Sequence, residues 1–214
     1  MKYDFTAILD RRGMDAVAVD QIPYENAEVE EGFSPLPMWV ADMNFQTVPA
    51  IAEAMTERIR HRAYGYFEPR KEYFDAIVDW QTTRNGVEGL TAEAIGYENG
   101  VLGGVVSAMN VLCSAGDKIL VHAPTYVGFT HALKNNGYEL VLSDLKKDAE
   151  GVWRMDLEDM EEKLRTQKIH AAIICSPHNP TGRVWERREL EEAMELFRKY
   201  DVYVVSDEIW SDLT

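Results

Sequence analysis

The sequence predicts an α/β fold with a mostly parallel sheet flanked by helices. Beyond residue 90, short apolar runs of strand character alternate with longer segments whose apolar residues recur at helical spacing. Strands that alternate with helices of this length form βαβ units, and such units build a parallel sheet. Two of the apolar runs, residues 171–175 and 202–205, are each closed directly by a polar cluster. Such clusters mark the edge at which open α/β sheets bind ligands.

The first 46 residues are predicted to form an extended N-terminal arm, or part of a small domain, because residues that interrupt regular structure recur along them. These residues are Pro23, Gly32, Pro35 and Pro37. The remaining residues, 47–214, are expected to form one larger domain.

Two helices are expected before the alternating region. The first begins at Thr47-Val48-Pro49, with Thr47 as its N-cap. Its apolar stripe consists of Ile51, Met55 and Ile59. The second spans residues 71–84 and is ended by Asn85-Gly86.

The other elements follow from their periodicity. They are a strand over residues 95–97, a helix over 103–113, a strand over 118–122, a helix over 126–135, a strand over 138–142, a helix over 156–165, a strand over 171–175, a helix over 187–200 and a strand over 202–205. The helix over 187–200 has the clearest pattern, with charges covering the face opposite its apolar one. That predicted apolar face consists of Leu190, Ala193, Met194 and Phe197.

Composition restricts the classes of partner. The 214 residues are 46% apolar and 10% aromatic, which is enough to bury a core. The chain has 22 basic and 37 acidic residues, a net charge of -15. Nucleic acids and anionic membrane surfaces require a positive face, so neither is expected as a partner.

Cysteine and histidine usage indicates no metal site. Cys113 and Cys175 lie in apolar runs without CxxC spacing, so we expect reduced, buried thiols and a cytoplasmic protein. His61, His131 and His170 lack the spacing of metal ligands. The N-terminus has no apolar core of a signal peptide, and no apolar run approaches about 18 residues, so neither export nor a membrane span is expected.

The two polar clusters contain an amide and a carboxylate. Residues 176–183 read SPHNPTGR and include Asn179, whereas residues 206–208 read SDE and include Asp207. A buried Asp favours a protonated pyridine nitrogen and an Asn amide donates to a ring oxygen, so the pair suits a pyridine ring carrying a phenolic oxygen. Each residue taken alone also has a structural interpretation, because Asp caps helices and Asn-Pro is common in turns.

Together these motifs resemble the pyridoxal 5′-phosphate (PLP) enzymes of the class I/II aminotransferase family, fold type I. Residues 37–43 (PMWVADM), 176–180 (SPHNP) and 204–209 (VVSDEI) are most similar to its cystathionine beta-lyase branch, the PatB/MalY-like carbon-sulfur lyases. The likeness extends from about Trp39 to the last residue. It implies that residues 47–214 are the N-terminal part of a PLP-binding large domain.

The resemblance implies a role for each site residue. Asp207 would contact the ring nitrogen of PLP and Asn179 the ring oxygen. Tyr126 would stack on the pyridine face, although a tyrosine at a helix start is also a common core residue. The phosphate would lie on the amides around Val101 and Leu102, where a glycine-containing turn is by itself a weak signal.

Two further residues are included by resemblance. Tyr66 would reach the phosphate of the neighbouring subunit, which implies a homodimer. Trp210 would stand near the ring oxygen of PLP. Its indole either donates an N–H hydrogen bond there or only packs against its surroundings. Relatives often carry Pro and Ala where Gly103 and Gly104 stand, so the resemblance leaves the local phosphate contacts open.

The implied function is a PLP-dependent carbon-sulfur β-lyase that acts on cystathionine or a related cysteine thioether and releases a thiol, ammonia and pyruvate. The Schiff-base lysine of the family lies downstream of the Asp-Glu motif and is expected beyond Thr214. No catalytic residue is therefore expected within the chain, and the 214 residues alone are expected to be inactive. The alternatives are a PLP-dependent aminotransferase and a non-catalytic fragment or interaction module.

Overall fold

The computed structural model describes residues 3–23, 28–33 and 36–214. It divides into two compact units, Met1–Glu68 and Pro69–Thr214. The arm predicted from the sequence ends earlier, at residue 46, and this assignment of the arm stays a prediction. Within the described ranges, no helix combines the length and the apolar character needed to cross a membrane.

The described residues of the first unit include two helices, α1 (Val17–Asp20) and α2 (Pro49–Arg60). The prediction that Thr47 caps α2 is wrong, because the N-cap is Val48, whose backbone is extended and whose side chain makes no capping hydrogen bond. A residue that precedes proline is disfavoured in the helical region, so the helix begins at Pro49 itself.

The predicted apolar stripe of α2 exists but is not covered within its unit. Ile51, Met55 and Ile59 recur along one face of the helix and are 49%, 60% and 60% exposed. No residue of α2 is buried.

The second unit carries the alternating elements. They are α3 (Lys71–Asn85), a 3₁₀ helix (Ala92–Ala94), α4 (Val101–Leu112), β1 (Lys118–Ala123), α5 (Val127–Asn135), β2 (Glu139–Asp144), β3 (Lys146–Lys147), β4 (Trp153–Arg154), α6 (Leu157–Gln167), β5 (Ile169–Cys175), α7 (Arg187–Lys199), β6 (Tyr203–Asp207) and a 3₁₀ helix (Ser211–Leu213). As predicted, α3 ends at Gly86, which takes a left-handed conformation with φ 66°.

The strand predicted over residues 95–97 is wrong, because this segment follows a 3₁₀ helix and pairs with no strand among the described residues. A three-residue run becomes a strand only where a neighbouring strand completes its backbone hydrogen bonds. The antiparallel pair β3 and β4 was not predicted, since two-residue strands are too short to show a period.

The main sheet has four strands in the order β2-β1-β5-β6, and every neighbouring pair is parallel. The predicted α/β fold is thereby confirmed. From β1 the chain passes to β2 on one side and later to β5 on the other. The strand order therefore changes direction between β1 and β5, and ligands of open α/β sheets bind outside the carboxyl ends at such a point.

Helices cover both faces of the sheet, which explains why its strands are almost continuously apolar. Side chains of α6 and α7 form one core with alternate strand residues, and side chains of α4 and α5 form the other. The first core includes Leu120, Met160, Leu164, Ala172, Ala193 and Phe197. The second includes Val105, Met109, Ile119, Phe129, Leu133 and Ile173.

The prediction that Met194 belongs to the apolar face of α7 is wrong. Met194 is 45% exposed, whereas Ala193 and Phe197 are fully buried. Successive helical residues differ by about 100°, so the residue beside Ala193 turns away from the sheet.

Candidate functional site

Three of the predicted site residues lie at or just beyond the carboxyl ends of three adjacent strands. Tyr126 follows β1, Asn179 follows β5, and Asp207 is the last residue of β6. The register places Cys175 opposite Asp207, and the Ser176 N–H donates to the Asp207 carbonyl oxygen at 2.9 Å. Because the strands are parallel, these residues lie along one edge of the sheet, around the point where the strand order changes direction.

Asp207 is a buried carboxylate without a cation. It is 6% exposed, and its Oδ1 accepts a hydrogen bond from the Ile209 N–H at 3.1 Å. No other hydrogen bond and no ion pair to its side chain occurs among the described residues. Burial of a charge without a partner is unfavourable, so this carboxylate is suited to a cationic or hydrogen-donating ligand.

Asn179 lies in a turn that is closed by its neighbours. The His178 N–H donates to the Arg183 carbonyl oxygen and the Gly182 N–H donates to the His178 carbonyl oxygen, both at 2.7 Å. His178 Nδ1 also shares a hydrogen bond of 2.8 Å with Thr181 Oγ1. The half-buried side-chain amide of Asn179 has no hydrogen-bond partner in the part of the chain that is described, so a fixed turn presents a free amide.

The start of α4 offers free backbone N–H groups. Gly100 precedes the helix with φ 87°, and the Gly104 N–H bonds back to its carbonyl oxygen at 3.1 Å. Within the described chain, the N–H groups of Val101, Leu102 and Gly103 have no acceptor. Free first-turn N–H groups and the helix dipole together favour an anion such as a phosphate.

Tyr126 and the start of α4 meet at Gly128. A Cβ atom built on Gly128 would lie 2.3 Å from Cε1 of Tyr126 and 2.9 Å from Cδ1 of Leu102. Only glycine permits this approach, so Gly128 brings the predicted stacking ring to the predicted phosphate end. Tyr126 is 36% exposed and contacts Phe129 edge-on, with the ring centroids 5.5 Å apart. Gly128 was not identified from the sequence, because its importance depends on a contact between α4 and α5.

Among the described residues, no hydrogen bond or ring contact joins Trp210 to this group. Trp210 is half-buried at the start of the last 3₁₀ helix, and its indole N–H has no acceptor among the described residues. Tyr66 is fully exposed and belongs to the first unit. The roles of both residues stay predictions.

Sequence reasoning also missed a buried group beneath the Asn179 turn. His122 and His178 are each 3% exposed, and the ring of the buried Trp185 contacts both. Burial lowers the pKa of His178 to about 4. Burial, and to a smaller extent His178, lowers the pKa of His122 to about 4, and its Nε2 has no hydrogen-bond partner among the residues that the structure describes. The signal of this group in the sequence was His122, a histidine inside the apolar run that forms β1.

The two thiols are unreactive by environment. Both cysteines are free; Cys175 is buried, as predicted, whereas Cys113 is only half-buried. Burial raises the pKa of each thiol. Cys175 Sγ donates to the Pro177 carbonyl oxygen at 3.3 Å, which supports the Asn179 turn from below. The described residues contain no cluster arranged to hold a metal ion.

Comparison with known proteins gives consistent matches. Residues 38–214 match the protein family described as aminotransferase class I and II. The chain is 39% identical over 178 residues to cystathionine beta-lyase PatB of Bacillus subtilis, covering 83% of this chain and 46% of that protein. It is 32% identical over 167 residues to glutamate-pyruvate aminotransferase AlaA of Escherichia coli, covering 75% and 40%.

A solved structure shows the same fold. The PLP-bound carbon-sulfur lyase of Staphylococcus hominis superposes with a TM-score of 0.82 and 32% identity, covering 97% of this chain and 51% of that one. The chain thus spans about half the length of the relatives it matches.

Proposed function

The chain belongs to the class I and II aminotransferase family, and on that premise we propose that the whole protein is a PLP-dependent carbon-sulfur β-lyase. Its substrate is cystathionine or a related cysteine thioether, and its products are a thiol, ammonia and pyruvate. The similarity to cystathionine beta-lyase PatB and to the carbon-sulfur lyase of Staphylococcus hominis supports the reaction class.

The site residues fit PLP. The observation that carries the proposal is the buried Asp207 carboxylate, which has no cation among the described residues, at an edge where those residues also leave the Asn179 side-chain amide without a partner. The free N–H groups at Val101 and Leu102 suit the phosphate, and Gly128 brings that end to the predicted stacking ring. When bound, PLP supplies an electron sink for the carbanion that forms at the substrate α-carbon.

Each side chain has a distinct task in this proposal. Asp207 holds a proton on the ring nitrogen, because a carboxylate in a buried site favours the positively charged form of its partner. Asn179 donates its side-chain N–H to the ring oxygen and fixes the rotation of the ring. Tyr126 covers one face and excludes water from it. Trp210 stands beside the ring oxygen.

We further propose a cytoplasmic homodimer, in which Tyr66 reaches the phosphate held by the neighbouring subunit. The two free cysteines support a reducing compartment, and the full exposure of Tyr66 leaves it accessible to a second copy. Residues 47–214 are the N-terminal part of the PLP-binding large domain. Sedimentation of the full-length protein should give the mass of a dimer, and a monomer that binds PLP fully would contradict this arrangement.

A PLP-dependent aminotransferase is the second candidate, favoured by the 32% identity to glutamate-pyruvate aminotransferase AlaA. Asn179 and Asp207 would have the same tasks in both enzymes, so these two residues do not distinguish them.

Product analysis distinguishes the two reactions. The full-length gene product is incubated with cystathionine in one reaction and with amino acids plus 2-oxoglutarate in another. Thiol, ammonia and pyruvate are expected in equal amounts from cystathionine, with little glutamate from the second mixture. Glutamate formation that greatly exceeds thiol release would establish the aminotransferase instead.

A further inference from the structure

Trp185 occupies a central position beneath the candidate site. It is 4% exposed, and its indole N–H donates to the Cys175 carbonyl oxygen at 2.8 Å. The Arg183 guanidinium lies 5.4 Å from its ring centroid. The rings of His178 and His122 lie 5.5 Å and 6.2 Å away, centroid to centroid. The indole is therefore held through its polar atom and through its aromatic surface.

Two of these contacts reach the residues that would hold the PLP ring. Cys175 ends β5 and stands opposite Asp207 in the sheet register. His178 directly precedes Asn179, and its hydrogen bond to Thr181 closes the Asn179 turn. The indole of Trp185 thus touches the strand end beside the carboxylate and the turn that presents the amide.

The third contact reaches the neighbouring strand. His122 is the next-to-last residue of β1, and the chain continues from β1 directly into the Tyr126 segment. Trp185 therefore spans the gap between the ends of β1 and β5, where the strand order changes direction. A packing role alone would need only apolar bulk, whereas this side chain also donates a directed hydrogen bond to a strand terminus.

A buried ion pair holds the Arg183 side of the indole. Arg183 bonds to the carboxylate of Glu189, which is 6% exposed on α7, and its Nε donates to the Trp153 carbonyl oxygen at 2.9 Å. The ion pair and this backbone contact together hold the guanidinium over the Trp185 ring. The other carboxylate oxygen of Glu189, Oε1, accepts no hydrogen bond among the described residues and faces Arg154 Nη1 at 3.3 Å. The support of the Asn179 turn thus extends into α7.

From this geometry we propose that Trp185 is a positioning residue for PLP, which sets the spacing between the Asn179 amide and the Asp207 carboxylate. The inference rests on the proposed function, because it assumes that these two groups hold the PLP ring. At 4% exposure, Trp185 has almost no surface of its own with which to contact PLP. Its effect is exerted through the turn and through the end of β5.

The test uses the full-length protein and the dissociation constant of PLP, measured by equilibrium dialysis. Trp185→Phe keeps an aromatic ring but removes the N–H that bonds to Cys175. We expect the dissociation constant to rise about tenfold and kcat to fall on the order of 10-fold to 100-fold, because displacements of about 1 Å have effects of this size. Tyr138→Phe is the matched control, since it also keeps a buried ring and removes one hydrogen-bond donor, the O–H that bonds to Asn110 Oδ1 at 2.7 Å, but lies directly before β2 outside this network. It should leave the dissociation constant unchanged.

A double variant separates positioning from general destabilisation. If Trp185 acts through Asn179, then Trp185→Phe should weaken PLP binding much less in an Asn179→Ala background than in the unaltered protein. Effects of the two substitutions that simply multiply would overturn the proposal. If Trp185→Phe does not fold, Thr181→Val is measured instead, because it removes only the hydrogen-bond partner of His178 Nδ1. Thr181→Val should raise the dissociation constant of PLP several-fold. An unchanged dissociation constant would equally overturn the proposal.

The outcomes also separate this inference from the proposed function. If Asn179→Ala weakens PLP binding and Trp185→Phe does not, Trp185 has no positioning role and the proposed function stands. If the unaltered full-length protein does not bind PLP, the proposed function is wrong and the positioning role is wrong with it.

Discussion

Replacement of Asp207 by Asn in the full-length protein separates the charge of this side chain from its shape. Asn has the same size, and its Oδ1 can still accept the Ile209 N–H that Asp207 accepts at 3.1 Å. The local turn should therefore persist. What is lost is the negative charge at a position that is 6% exposed and has no cation among the described residues.

The size of the effect follows from the charge. An opposite charge within a few ångströms shifts the pKa of its partner by roughly 1–3 units. Each unit corresponds to about 1.4 kcal/mol, or a factor of about ten. We expect kcat at saturating PLP to fall on the order of 10²-fold to 10³-fold, the upper part of this range, because burial leaves little water to replace the carboxylate.

The stability of the cofactor-free protein should respond in the opposite direction. The substitution removes an unpaired buried charge, so the free energy of unfolding should stay the same or rise by up to about 1 kcal/mol. Turnover and urea unfolding are measured on the same preparation. Glu208→Gln is the control, because Glu208 is the exposed neighbour whose Oε1 accepts from Ser206 Oγ at 2.8 Å. Its turnover should stay within about twofold.

Two outcomes would refute this reasoning about Asp207. Near-normal turnover of Asp207→Asn at saturating PLP would show that the charge does not act on the ring nitrogen. A loss of several kcal/mol in stability would show that Asp207 serves mainly as a structural cap.

Two further predictions concern Gly128 and His122. Gly128→Ala would place a Cβ 2.3 Å from Tyr126 Cε1, so the tyrosine ring must move and the dissociation constant of PLP should rise about tenfold. Gly96→Ala is the control, because a Cβ there would have no atom within 4 Å, and it should leave the dissociation constant unchanged. The pKa of His122 is lowered from 6.5 to about 4 by burial and then by His178, so the unfolded chain binds an additional proton between these values. Stability should therefore fall as the pH decreases from 6.5 towards 4. His122→Gln should make the decrease of the urea midpoint in that interval smaller but should not abolish it, because burial also lowers the pKa of His178 to about 4.

Local patterns were sufficient for most of the elements. The apolar runs that became β5 and β6 and the amphipathic stretch that became α7 were predicted within a few residues of their observed bounds. Periodicity is a property of neighbouring residues, so it needs no knowledge of the tertiary contacts. The positions of Asn179 and Asp207 near the ends of strands followed from the same patterns, although β6 extends two residues further than predicted, to Asp207 itself.

The errors share a different cause. Residues 95–97 lacked a neighbouring strand, and the rotation of α7 against the sheet, rather than its composition, left Met194 exposed. The N-cap of α2 moved to Val48 because of the proline that follows it. Each depended on a steric or pairing condition that the apolar pattern does not contain.

The sequence by itself determined the α/β class, the order of the four main strands and of the helices between them, and the motifs that carry the family resemblance. Only the tertiary structure decided the spatial strand order β2-β1-β5-β6, the meeting of Tyr126 with α4 over Gly128, and the placement of Trp185 between two strand ends. The physical reason is range: periodicity is fixed by residues a few positions apart, whereas the site is formed by side chains that are distant in the chain and meet only when the parallel strands pair.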